Sequence, residues 1–87
     1  MEIVYTTHFD RAFKKLSEKE QAFFFQRFTL FEKDIFSPEL KTHKLHGPFC
    51  NFFSFSLNSS ERVVFQFDKK QGIIFLYDIG SHKIYEA

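Results

Sequence analysis

Phe53-Ser54-Phe55-Ser56-Leu57, Arg62-Val63-Val64-Phe65-Gln66-Phe67 and Ile73-Ile74-Phe75-Leu76-Tyr77 are three apolar runs set close together. Asn58-Ser59-Ser60 separates the first two, and Asp68-Lys69-Lys70-Gln71-Gly72 the last two. In the first run Phe and Leu alternate with Ser, the period-two pattern of a half-buried strand. The second places Val63, Phe65 and Phe67 on one face and Arg62, Val64 and Gln66 on the other. The third is apolar throughout, which suits a central strand covered on both faces. The separators have turn composition, with Gly72 near the end of a hairpin turn. Gly80-Ser81-His82 breaks the third strand, and Lys83-Ile84-Tyr85 has the composition of a last short one. The second half of the chain therefore reads as an antiparallel meander.

A sheet with one apolar face needs a cover, and the first half supplies it. Ile3-Val4-Tyr5 is a short opening strand. Thr7, with Asp10 three residues on, is a capping-box variant, and Phe9, Ala12, Phe13 and Leu16 follow at helical spacing. Ser17 with Glu20 repeats the signal ahead of a longer helix whose stripe is Phe24, Phe28, Phe31 and Ile35. Pro38 stops that helix at or before Ser37. The expected fold is α+β: an N-terminal strand and a two-helix hairpin packed on one face of a four- to five-stranded, mainly antiparallel sheet. At 87 residues, one domain spanning 1–87 is expected.

Fifteen of the residues are Phe and none is Trp. Each buried ring removes roughly 150–250 Å² from water, which gives a short chain a dense core. The surplus, with Phe23, Phe25 and Phe52 as candidates, is expected to form a groove for a partner helix. The net charge is +1, which excludes the strongly basic footprint of a free-standing RNA binder. Residues 1–40 hold six Lys/Arg against seven Asp/Glu, and residues 41–87 six against four, so a mild basic bias lies in the second half. The single cysteine, Cys50, excludes an internal disulfide and reads as a small buried hydrophobe. No basic, apolar leader and no run of membrane-spanning length is seen, so a cytoplasmic setting without membrane contact is expected.

Once core and turns are set aside, three groups carry chemistry. They are the loop of Lys41, His43, Lys44 and His46, then Arg62 at a strand start, and then His82 with Tyr85 near the end. An antiparallel meander can bring all three together. Histidine titrates near neutrality and serves as base or acid, Arg grips phosphate in two places, and Lys adds a point charge. Aromatic rings stack splayed bases. RNA cleavage through the ribose 2′-OH uses such a set: a base, an acid, and cations for the phosphoryl oxygens. Other readings stand beside it. His43 and His46 could ligate zinc, although no Cys pair or acidic cluster accompanies them. Arg62 could pair with Glu61 or Asp68, His82 could close a turn, and Tyr85 could edge the core. His8 reads as structural or solvent-facing, and Asp78 as a cap for a backbone amide.

His43-Lys44-Leu45-His46-Gly47, Phe53-Ser54-Phe55-Ser56-Leu57, Arg62-Val63-Val64-Phe65 and Ile79-Gly80-Ser81-His82 together resemble the RelE/YafQ branch of the RelE/ParE toxin superfamily. Thr6-Thr7-His8-Phe9 leading into Phe13-Lys14-Lys15-Leu16 is similar to its first strand and helix. The resemblance implies a toxin of a type II toxin–antitoxin system, a ribosome-dependent mRNA endonuclease that uses no metal or other cofactor. It implies a cognate antitoxin, the ribosome and mRNA as partners, with a toxin–antitoxin hetero-oligomer. His82 would transfer a proton, with His43 or His46 as its counterpart. Arg62, Lys41 and Lys44 would hold the RNA backbone, and Tyr85 would stack on or orient the substrate. Only two residues separate His82 from Tyr85, where the family's usual ending has three. The alternatives are a ParE-like gyrase inhibitor that cuts no RNA, and a member that only binds its antitoxin.

Overall fold

A computed structural model describes residues 1–49 and 51–81. Its elements are β1 (Glu2–Tyr5), α1 (Thr7–Lys14), α2 (Glu18–Lys33), β2 (His43–Lys44), β3 (Phe53–Ser56), β4 (Glu61–Asp68) and β5 (Ile73–Ser81), with 3-10 turns at Pro38–Leu40 and Gly47–Phe49. The five strands form one mixed sheet in the order β1-β5-β4-β3-β2. β1 runs parallel to β5, and every other pairing is antiparallel. Both helices pack on one face, as the α+β reading expects.

The apolar stripe of α2 makes the core. Phe24, Phe28, Phe31 and Ile35 are all buried, and the Phe31 ring sits 4.6 Å from Phe55 and 5.0 Å from Phe65 between centroids. Each such ring contributes about 2 kcal/mol of burial. Ser17 closes a reciprocal capping box: its hydroxyl accepts from the Glu20 amide at 3.1 Å, and Glu20 accepts from the Ser17 amide at 2.9 Å. Asn58 Oδ1 accepts from the amides of Ser60 and Glu61 and so shapes the β3–β4 turn. Gly72, at φ +67°, completes the β4–β5 turn, where its amide donates to the Asp68 carbonyl at 2.8 Å.

Four expectations are corrected. The cap of α1 is Thr6 rather than Thr7. The Thr6 hydroxyl accepts from the Phe9 amide and donates to the Leu76 carbonyl at 2.9 Å, a bond to β5 that fixes where the helix begins. The segment at residues 43–44 is a short edge strand, because His43 and Lys44 pair with Ser54 and Phe53. β3 is covered on both faces, with Ser54 and Ser56 buried along with Phe55. β5 runs unbroken through Gly80 to Ser81. A bulge explains its length: Val64 pairs with Asp78 and Phe65 with Leu76, which leaves Tyr77 over. The extra residue lets Leu76 and Ile79 both face the core despite their odd spacing. The segment 83–85, read as a last strand, lies outside the described residues.

Candidate functional site

Ser56 pairs with Arg62, and Arg62 with Gly80, across β3, β4 and β5. Lys41 lies in the turn two residues before His43, which pairs with Ser54. Lys41 and Arg62 line a single groove at this end of the sheet with Arg27, Glu39, Ser56 and the Asn58–Ser59 turn. Arg62 Nη1 donates to Ser56 Oγ at 2.5 Å, which aims the guanidinium along this row. Lys41 follows the Pro38–Leu40 turn at φ 53°, a left-handed conformation uncommon outside Gly, Asn and Asp. Its amide donates to the Pro38 carbonyl, and the Thr42 hydroxyl donates to the Ile35 carbonyl, so the turn is tied at both sides.

His43 is exposed on β2, and its Nδ1 lies 2.9 Å from the Lys41 carbonyl oxygen. A carbonyl only accepts, so Nδ1 carries the hydrogen of this bond. In the neutral ring Nε2 then keeps the lone pair, the state a proton acceptor needs. His43 shares a sheet face with Ser54 and Arg62. Two strand spacings and two residues along the strand separate His43 from Arg62, about 12 Å between Cα atoms. That is within joint reach of two long side chains and one nucleotide. Lys44, opposite Phe53, projects from the other face and does not line the groove. His46 is exposed beyond the end of β2, farther along the chain from the groove of Lys41 and Arg62.

His82 and Tyr85 lie outside the described residues. β5 brings the chain to Ser81, opposite Glu61 and next to the Arg62–Gly80 pair. Glu61 is tied to the start of α2: its carboxyl hydrogen-bonds Glu20, which pushes the Glu61 pKa up, with burial adding to the rise. The same bond, with those from Ser17, holds the Glu20 pKa down. Asn58 Nδ2 also donates to Glu61 at 3.1 Å. On the far side of β5, His8 Nε2 lies 3.1 Å from Asp78 Oδ2, and the His8 ring stacks on Tyr77 with centroids 5.1 Å apart. Asp78 Oδ1 also accepts from the Ile79 amide at 2.8 Å, the capping role its place in the sequence suggests. Among the described residues, no three His, Cys, Asp or Glu side chains are grouped to hold a metal ion.

Arg27 is the site residue that sequence reading missed. Its signal was a cation on the buried stripe, three residues after Phe24 and four before Phe31. The exposed aromatics also depart from expectation. Phe23 and Phe25 stand about 200° apart on a helix, and Phe52 packs against Tyr77 of the sheet at 5.0 Å. The three do not line a common groove. Phe25, 56% exposed and edge-on to Phe13, is the most open of them.

Neither a family model nor a curated protein sequence matches the chain. Solved structures do. A YoeB/ParE toxin from Agrobacterium tumefaciens superposes with a TM-score of 0.78 at 13% identity, covering 94% of this chain and 99% of that one. A chain of the E. coli DinJ-YafQ toxin-antitoxin complex matches at TM-score 0.78 and 12% identity, with 99% and 97% covered. A chain of the archaeal RelE-RelB complex from Pyrococcus horikoshii OT3 matches at 0.74 and 14%, with 95% and 96% covered. The protein thus has the fold of the RelE/YafQ/ParE-type toxins over nearly its whole length. No helix among the described residues is long and apolar enough to cross a membrane.

Proposed function

We propose that this chain is the toxin of a type II toxin–antitoxin pair and a ribosome-dependent mRNA endonuclease acting in the cytoplasm. The observation that carries this reading is the groove lined by Lys41, Ser56 and Arg62, with His43 bonded to the carbonyl of Lys41. It offers fixed cations beside a histidine whose free nitrogen can take a proton. In the reaction, a histidine removes the proton of a ribose 2′-OH, whose oxygen attacks the adjacent phosphorus. The P–O5′ bond breaks, and a second histidine returns a proton to the departing oxygen. A 2′,3′-cyclic phosphate and a 5′-hydroxyl remain. Arg62 and Lys41 offset the charge on the phosphoryl oxygens as it builds, a task for a bidentate guanidinium and a compact ammonium. His82 is one proton-transfer group and His43 its partner, with His46 as the substitute for His43. Lys44 grips the strand farther along, and Tyr85 stacks on a base. Each proton-transfer group contributes roughly 10²–10⁴-fold in rate. No metal takes part in this scheme.

The partner that restrains the toxin is a cognate antitoxin, laid as an amphipathic helix over the apolar surface around Phe25. Chains of two antitoxin-containing complexes share this fold, which supports the reading. The test is primer extension on mRNA in a reconstituted translation reaction, with the parent and His82→Ala side by side. Cuts within codons that vanish in the variant support the nuclease. Intact message with arrested growth would point instead to gyrase inhibition, read by a supercoiling assay.

A further inference from the structure

We infer that Arg27 of α2 is a positioning residue that completes a three-cation phosphate site with Lys41 and Arg62. Arg27 lies on the stripe of α2 that faces the sheet, half-buried between turns that carry Phe24 and Phe31. Its Nη2 donates to the Glu39 carbonyl at 2.5 Å. That carbonyl sits in the turn that delivers Lys41, so the guanidinium holds the turn against α2 from inside. The left-handed backbone at Lys41 needs such support, because an L residue there is strained. The guanidinium also lines the same groove as Lys41 and Arg62.

The charge count makes the groove an anion site. Among the described residues, three cations line it against one carboxylate, that of Glu39. Among the described residues no carboxylate lies within ion-pair distance of Arg27, and its Nε is buried without a hydrogen-bond partner. A half-buried guanidinium with a single carbonyl acceptor is an incomplete arrangement, since buried donors left unpaired cost about 1–3 kcal/mol. A phosphate in this groove would place negative charge beside Arg27 as well as Lys41 and Arg62. Arg27 acts on it through the turn and through its field, and the Ser56 hydroxyl and Asn58–Ser59 turn add polar groups to the wall. The inference rests on the nuclease reading only in taking that phosphate to be part of an RNA strand.

The experiment is a nitrogen-15 NMR titration of the whole protein with inorganic phosphate, followed by message cleavage with the same samples. The Arg27 Nε–H and the amides of Lys41 and Ser59 are expected to shift together along one binding curve. Arg27→Gln is expected to weaken phosphate binding about tenfold. Arg27→Lys, which keeps the charge but holds the turn less firmly, is expected to fall between. Spectra of both variants with core resonances unmoved exclude unfolding as the cause. Unchanged phosphate affinity in folded Arg27→Gln, or an Arg27 resonance that does not respond, overturns the inference even where message is cut. Phosphate binding that depends on Arg27, in a protein that cuts no message, upholds the inference and removes the nuclease reading.

Discussion

Arg62 reaches across the β3–β4 pair to donate a hydrogen bond to the hydroxyl of Ser56, its direct register partner, at 2.5 Å. The bond contributes to setting the direction of the guanidinium. Ser56→Ala is expected to lower message cleavage about tenfold while shifting stability by roughly 1 kcal/mol. Arg62→Ala is expected to lower it at least about a hundredfold. Cleavage rates and urea midpoints of the two variants check this. Equal activity in Ser56→Ala and the parent would show that the bond does not position the guanidinium.

His43 is expected to matter through its ring nitrogen and not its charge. His43→Ala should reduce cleavage by roughly 10²–10⁴-fold. Antitoxin binding should stay unchanged, because the residue lies on the edge strand away from α1 and α2. Single-turnover rates on programmed ribosomes, together with a titration against antitoxin, separate the two effects.

Phe31 holds the two layers together. Its ring is fully buried against Phe28, Phe55 and Phe65. Phe31→Ala is expected to cost about 3–5 kcal/mol, a large share of a small domain's stability. Phe25→Ser, at a half-open position, is expected to cost far less and to weaken antitoxin binding more than about threefold. Chemical denaturation and antitoxin affinity measured on both variants should show this opposite ranking.

The Glu20–Glu61 bond gives stability a pH dependence of definite sign. Glu61 has a raised pKa in the folded protein, so its contribution is present at acid pH and fades as pH rises through that raised value. Glu20 has a lowered pKa, so its contribution is present above the ordinary glutamate range and fades as pH falls through the lowered value. The pair is strongest in between, holding one proton. Glu61→Gln keeps a donor toward Glu20 and cannot ionise. From the ordinary glutamate range up to neutral pH the parent should lose stability relative to this variant. Urea midpoints at the two ends of that range test the difference, and parallel curves would contradict it.

Much of the scaffold could be read from local pattern. The Ser17–Glu20 box, the Phe24–Phe28–Phe31–Ile35 stripe and the turns at Asn58 and Gly72 are each decided by residues within a few positions of one another. What escaped depends on distant partners. Thr6 beats Thr7 as cap because a carbonyl seventy residues away accepts from its hydroxyl. The two-residue β2 exists because β3 offers a free edge, and the Tyr77 bulge because two core residues must share one face. Arg27 stands thirty-five positions before Arg62, and only the packing of α2 on the sheet brings them to one groove. The loop of Lys41 and His43 was singled out as a candidate site from residue type. Its split, with Lys41 and His43 toward Arg62 and Lys44 away, follows from strand pairing that spacing alone does not fix.

The most direct measurement is the chemical identity of the new 3′ end on message cut by the purified protein in a translation reaction. A 2′,3′-cyclic phosphate that disappears when the ribose at the cut site lacks its 2′-OH is the predicted result. A 3′-hydroxyl end, or cleavage that survives loss of the 2′-OH, would contradict the proposed reaction.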